Sequence, residues 1–139
     1  MIEFFSESDF ILEHIDSFKS WIIHSLNLEK HKLGELTIVF CDDTFLHQLN
    51  VEFLNHDTLT DIITFDYNQG DMIFGEIYIS IERVKENAEE FSVSFDEELR
   101  RVIIHGVLHL CGYKDKSNED KVLMRMKEDN YLALFNLPS

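Results

Sequence analysis

A one-domain α/β fold, α+β in its segregation of strands and helices, is predicted by three features of this 139-residue chain. Four short apolar runs alternate with segments of helical period, and one stretch, 95–111, is apolar almost all round. With five Gly and a single Pro, no linker divides the chain, so residues 1–139 are read as one domain. The expected architecture is a small mixed sheet of about four strands covered by helices, with the 95–111 helix at its centre.

Residues 2–6 form a short apolar strand, and Phe10, Ile11, Ile15, Phe18, Ile22 and Leu26 fall at helical spacing. Leu36–Cys41 is apolar on both faces, as in a strand buried within a sheet. Asp42 and Asp43 can cap a helix whose Phe45, Leu46, Leu49 and Phe53 share one side. Asp61–Asp66 and Ile73–Ile81 read as strands joined by the turn signal Asn68-Gln69-Gly70-Asp71, and three helices follow at about 82–92, 95–111 and 117–135. Ser94 and Glu97 fit a capping box at the start of the central helix.

That helix sets Glu98, Arg101, His105 and His109 in a narrow polar stripe on an otherwise apolar surface. Unsatisfied polar groups on a buried helix cost about 1–3 kcal/mol each, so the stripe implies a ligand or partner. His105 and His109 lie one turn apart on one face, where one tetrahedral cation can bind both, although spacing alone also fits hydrogen-bonded or solvated histidines. Gly112 stands where a left-handed residue ends a helix, which lets the chain turn back and bring Asp115 in as a third ligand. Gly106 costs about 1 kcal/mol relative to Ala in a helix, which points to close backbone approach or tight helix packing.

Charge divides the chain. The formal net charge is −15, which disfavours sequence-nonspecific binding to nucleic acid, and DNA is not an expected partner. Residues 100–127, however, hold seven Lys and Arg against three acidic residues. No apolar run approaches the roughly 20 residues that span a bilayer. The N-terminal residues lack signal-peptide order, so a cytoplasmic location is expected, with Cys41 and Cys111 as free thiols.

The segment His105-Gly106-Val107-Leu108-His109-Leu110-Cys111-Gly112-Tyr113-Lys114-Asp115 resembles the His-Gly-x-Leu-His-Leu-x-Gly-Tyr-Asp-His signature of the YbeY family, bacterial rRNA maturation endoribonucleases of zincin-like shape. Leu49-Asn50, the run Thr60 to Phe65, the run Gly75 to Ser80, and Met124 with Glu128 resemble the family's other blocks, in order. The resemblance implies a metal-dependent endoribonuclease, with Zn²⁺ held by His105, His109 and Asp115. It further implies single-stranded rRNA and the small ribosomal subunit as partners.

Two departures from the family pattern follow. Asp115 stands where the family carries its third His, and Leu54 stands where it carries an Arg. The missing guanidinium moves the work of neutralising phosphoryl charge to Arg101, Arg100 or Lys114; Arg101 and Lys114 are the catalytic candidates. Leu54 and the acidic balance favour a competing reading, a non-catalytic ribosome assembly factor with a structural metal. A third reading is a metallohydrolase acting on another small ester or amide. Gly106 replaces the Glu that follows the first His in zincin proteases, so proteolysis by that mechanism is not expected. Cys111 is read as core filler, or otherwise as a fourth ligand. Thr60, Asp61 and Thr64 are read as turn caps or supports. His14, His24, His31, His47 and His56 are read as solvated or singly hydrogen-bonded.

Overall fold

The computed structural model describes residues 1–54 and 60–135, Leu54 through its backbone alone. The expected Leu54 substitution therefore concerns a side chain outside the described residues, as does His56. The elements run β1 (Ile2–Ser6), α1 (Ile15–Leu28), β2 (Lys32–Cys41), α2 (Asp43–Leu54), β3 (Ile62–Asp66), β4 (Met72–Ser80), α3 (Ile81–Phe91), α4 (Phe95–Leu110) and α5 (Asn118–Leu132).

The sheet has the order β1-β2-β4-β3, with β1, β2 and β4 parallel and β3 antiparallel to β4. This is the mixed four-stranded sheet the sequence predicts. Strand alternation sorts its two faces. Leu36, Ile38 and Phe40 of β2, with Ile73, Ile77 and Ile79 of β4, join the main core with α1, α4 and α5. On the other face Cys41 and Ile63 pack with Leu46 of α2 in a smaller cluster. Each fully buried Ile or Leu contributes roughly 1.5–3 kcal/mol relative to exposure, and Ile38, Ile77, Ile103 and Ile104 are among the side chains removed from water altogether.

Two expectations are corrected. The first helix begins at Ile15, not near Phe10, because His14 adopts a left-handed conformation (φ 58°) and the Ser8 hydroxyl accepts from the Phe10 amide. Phe10 instead reaches the core from an extended segment, its ring edge-on to Phe40 and Phe95. Strand β2 begins at Lys32, four residues before its apolar alternation is readable, because the register shifts between Leu33 and Glu35. A Cβ on the intervening Gly34 would sit 2.6 Å from the Phe74 ring.

Helix α4 lies against β3 and β4 at close range. A Cβ on Gly106 would stand 2.8 Å from Ile62 Cδ1 and 3.1 Å from Ile77, so this glycine is there for tight packing of helix on sheet. Ser94 caps α4 by accepting from the Glu97 amide. The full reciprocal box occurs at α5 instead, between Ser117 and Asp120. Among the described residues no helix is long and apolar enough to cross a membrane.

Candidate metal centre

The end of α4 builds the site. Gly112, at φ 104°, donates its amide to His109 O, and the Tyr113 amide donates to Leu108 O, the paired bonds of a Schellman turn. The reversal brings the Tyr113 carbonyl to 2.9 Å from His109 Nδ1 and swings Asp115 back toward the helix. His105 Nε2 is 3.0 Å from His109 Nε2 and 3.6 Å from Asp115 Oδ2. One donor atom from each of the three residues falls within 4.8 Å of the others.

The outer nitrogens fix the tautomers. A carbonyl oxygen only accepts, so His109 Nδ1 must carry its proton toward Tyr113 O. His105 Nδ1 lies 2.6 Å from Glu128 Oε2, and the carboxylate accepts there in the same way. With both Nδ1 atoms committed, both Nε2 lone pairs converge on one point beside a carboxylate. That point suits a shared proton or a cation, and the imidazole and carboxylate donor set fits Zn²⁺.

Electrostatics match this arrangement. Burial alone would lower the His105 pKa, but the hydrogen bond and charge of Glu128, with Asp115 and Asp61 beyond it, hold it above the ordinary value. Burial and the neighbouring His105 charge push His109 down. Cys111 half-packs against the core, and burial, with the Glu29 charge, pushes its thiol up to about 12. It stays protonated and outside the donor group, as expected of core filler.

Support reaches the histidines from two sides. On one, Glu128 of α5 is 5% exposed and bridges His105 to Arg101, whose Nη1 donates to Glu128 Oε1 at 2.9 Å. Arg101 Nη2 donates to Asp129 Oδ1 at 2.7 Å, so both terminal nitrogens are engaged by α5. On the other side, Tyr113 OH donates to Glu29 Oε1 at 2.6 Å. The same carboxylate accepts from Lys127 Nζ at 3.3 Å and from the Tyr131 hydroxyl. The C-terminal end of α1 thereby anchors the loop whose carbonyl orients His109. Deleting that anchor in Tyr113→Phe is expected to weaken Zn²⁺ binding about tenfold, the low end for supporting groups of metal ligands, as read by chelator competition.

The Glu29 cluster also predicts a pH dependence. Burial opposes ionisation, but the Tyr113, Tyr131 and Lys127 hydrogen bonds outweigh it and bring the Glu29 pKa below its usual 4.5. A folded-state value below the unfolded one contributes stability that is present above that pH and is lost as pH falls through the lower folded value. Urea denaturation at a series of acidic pH values should therefore show wild type losing stability more steeply below pH 4.5 than Glu29→Gln. Parallel curves would show that the cluster does not favour the ionised carboxylate.

A cavity of about 350 Å³ opens beside the triad. His105, Asp115, Arg101 and Glu128 line it, together with Asp61, Glu98, Lys121 and Arg125. In the sequence Glu98 reads as a member of the polar stripe without a task, and Asp61 as a support. Glu128 stands out only as part of a resembling block, although the buried spacing Met124, Glu128, Tyr131 on α5 is a readable signal. Burial raises the Asp61 pKa despite the opposing His105 charge. Thr60 Oγ1 donates to Ile62 O, the turn-type bond expected of it. Lys114 is exposed on the loop and is not part of the cavity wall.

The family model described as Endoribonuclease YbeY matches residues 5–136. The chain is 55% identical to a protein of Flavobacterium psychrophilum named Endoribonuclease YbeY, over 99% of this chain and 98% of that one. It is 53% identical to a Flavobacterium johnsoniae protein of the same name, over 99% of both chains. Its fold is similar to the solution structure of TM1509 from Thermotoga maritima, with a TM-score of 0.67 at 29% identity, covering 95% of this chain and 87% of that one. A match over nearly the whole length, at such identity, shows that this chain belongs to the YbeY family of endoribonucleases.

Proposed function

We propose that this chain is a metal-dependent endoribonuclease that cuts single-stranded RNA during maturation of small-subunit rRNA in the cytoplasm, one zincin-like domain binding one Zn²⁺. The observation that carries the reading is the convergence of two imidazole lone pairs and the Asp115 carboxylate at the wall of an open cavity. His105, His109 and Asp115 would hold the ion. When bound, the ion supplies Lewis acidity toward a phosphoryl oxygen and lowers the pKa of water.

The chain's own residues set the conditions. Glu128 and the Tyr113 carbonyl hold the two imidazoles in the tautomer that offers Nε2 inward. Because Arg101 is committed to Glu128 and Asp129, its part is to fix Glu128 and, through it, His105. Lys121 and Arg125 at the cavity wall, with Lys114 on the adjoining loop, are the cations available to attract and offset substrate phosphate. The cavity favours catalysis over a purely structural metal, since a structural site is closed by its own ligands.

The test is cleavage of a single-stranded rRNA fragment by purified protein before chelation, in EDTA and after Zn²⁺ is returned. Activity is expected to be lost and then restored. Cleavage that persists in EDTA, or that separates from the protein on a further column, would overturn the reading.

A further inference from the structure

Glu98 is the buried charge for which the mechanism has no use. It sits on α4 two turns before His105 and is 5% exposed. Its carboxylate accepts no hydrogen bond and forms no ion pair among the described residues. Yet no buried side-chain oxygen among those residues is both sealed from solvent and unpartnered, so what opening the Glu98 carboxylate has is toward the cavity it lines. Asp61 lines the same cavity, its Oδ2 receiving Asn87 Nδ2 at 3.4 Å. Val102 and Met124 supply apolar wall, and Lys121 and Arg125 supply positive charge. These two carboxylates are not part of the group of donors that, among the described residues, lie close enough to hold a metal.

A desolvated carboxylate that accepts no hydrogen bond is costly even with the Arg101 and Arg125 charges nearby, unless a ligand brings donors to it. The wall therefore suits a neutral group rich in N–H donors, attached to a phosphate that the cations can meet. A nucleotide is such a molecule, and a cavity of about 350 Å³ lies in the usual range for small-ligand sites. Among the four bases, guanine alone presents two adjacent donors, its ring N–H and exocyclic amine, to the two oxygens of one carboxylate. Adenine and cytosine set a donor beside an acceptor, and uracil sets its single donor between acceptors. Single-stranded RNA bases are commonly read on this edge. His105 lies seven helical steps beyond Glu98, a rise of about 10 Å at 1.5 Å per residue, which leaves room for the sugar between a base at one end and a phosphate at the other.

We propose that the cavity beside the triad is a base-recognition subsite in which Glu98 reads the donor edge of guanine, so that the enzyme cuts next to a guanosine. The inference rests on the endoribonuclease reading given above and adds its base preference. Glu98 is then a specificity-determining residue, not a member of the metal group.

Binding of guanosine, inosine, adenosine and cytidine monophosphates to Zn²⁺-loaded protein, followed by heteronuclear NMR titration, tests it. Inosine lacks only the exocyclic amine, and losing one hydrogen bond to a charged acceptor should weaken it roughly ten- to a hundredfold relative to guanosine. Glu98→Gln, close in shape, should bring guanosine and inosine to within about threefold of each other, because an amide cannot accept both donors. In parallel, cleavage sites mapped on an RNA of mixed sequence should lie beside guanosine in wild type and spread to other nucleotides in Glu98→Gln. Equal binding of guanosine and inosine monophosphates, or cleavage without base bias in an active wild type, overturns the subsite and leaves the nuclease reading intact. Selective guanosine binding without any RNA cleavage overturns the nuclease reading while the subsite stands.

Discussion

His105→Ala is expected to strip the protein of stoichiometric metal and to lower RNA cleavage by on the order of a hundredfold or more. Loss of supporting groups alone costs about 10–100-fold in affinity or activity, and this substitution removes a donor itself. It also leaves Glu128, 5% exposed, with Arg101 as its remaining partner among the described residues. Asp115→Ala should weaken metal binding at least tenfold, and Asp115→His should recover it, because imidazole and carboxylate are both accepted Zn²⁺ ligands. Elemental analysis after gentle purification, with circular dichroism to confirm folding, reads the result. Metal retained equally by wild type and His105→Ala would show that the ion, if any, sits elsewhere.

The largest effect on stability is expected from the opposite face of the same helix. Ile103 is fully buried in the main core, and Ile103→Ala should cost about 2–5 kcal/mol in urea unfolding through lost burial and the cavity left behind. Because α4 carries both histidines, the variant should also weaken metal binding, and saturating Zn²⁺ should recover part of the lost stability by mass action. A loss below 1 kcal/mol would mean that α4 is not the packed centre of the fold. Gly106→Ala is the milder counterpart. The added Cβ meets side-chain atoms of Ile62 and Ile77 rather than backbone, and the gain in helix propensity offsets part of the strain.

Much of this was legible in the residues because local and global signals coincide. The all-round apolar 95–111 stretch predicts a buried helix, and α4 is that helix. The Asn68–Asp71 turn signal predicts the antiparallel pairing of β3 with β4. Gly112 predicts the left-handed stop that returns Asp115 to the histidines. What escaped the sequence depends on contacts between distant segments. The start of α1 is hidden in the sequence because Phe10 is apolar at helical spacing yet packs from a loop held by Ser8 and His14. The Glu29 anchor joins residues 84 and 102 positions apart, which no local pattern encodes. Arg101 reads in sequence as a free cation in a polar stripe, and only the packing of α5 reveals its pairing with Glu128 and Asp129.

Two imidazoles and one carboxylate at the end of α4 are proposed to hold the metal on which cleavage depends. X-ray absorption at the zinc edge on the loaded protein tests it most directly, with Asp115→Ala alongside. The expected first coordination sphere is nitrogen and oxygen at about 2.0–2.2 Å, with the outer-ring scattering of two imidazoles and no sulfur. One fewer protein oxygen is expected in Asp115→Ala. A sulfur ligand at about 2.3 Å, which would have to come from a cysteine, or a sphere without imidazole scattering, would contradict it.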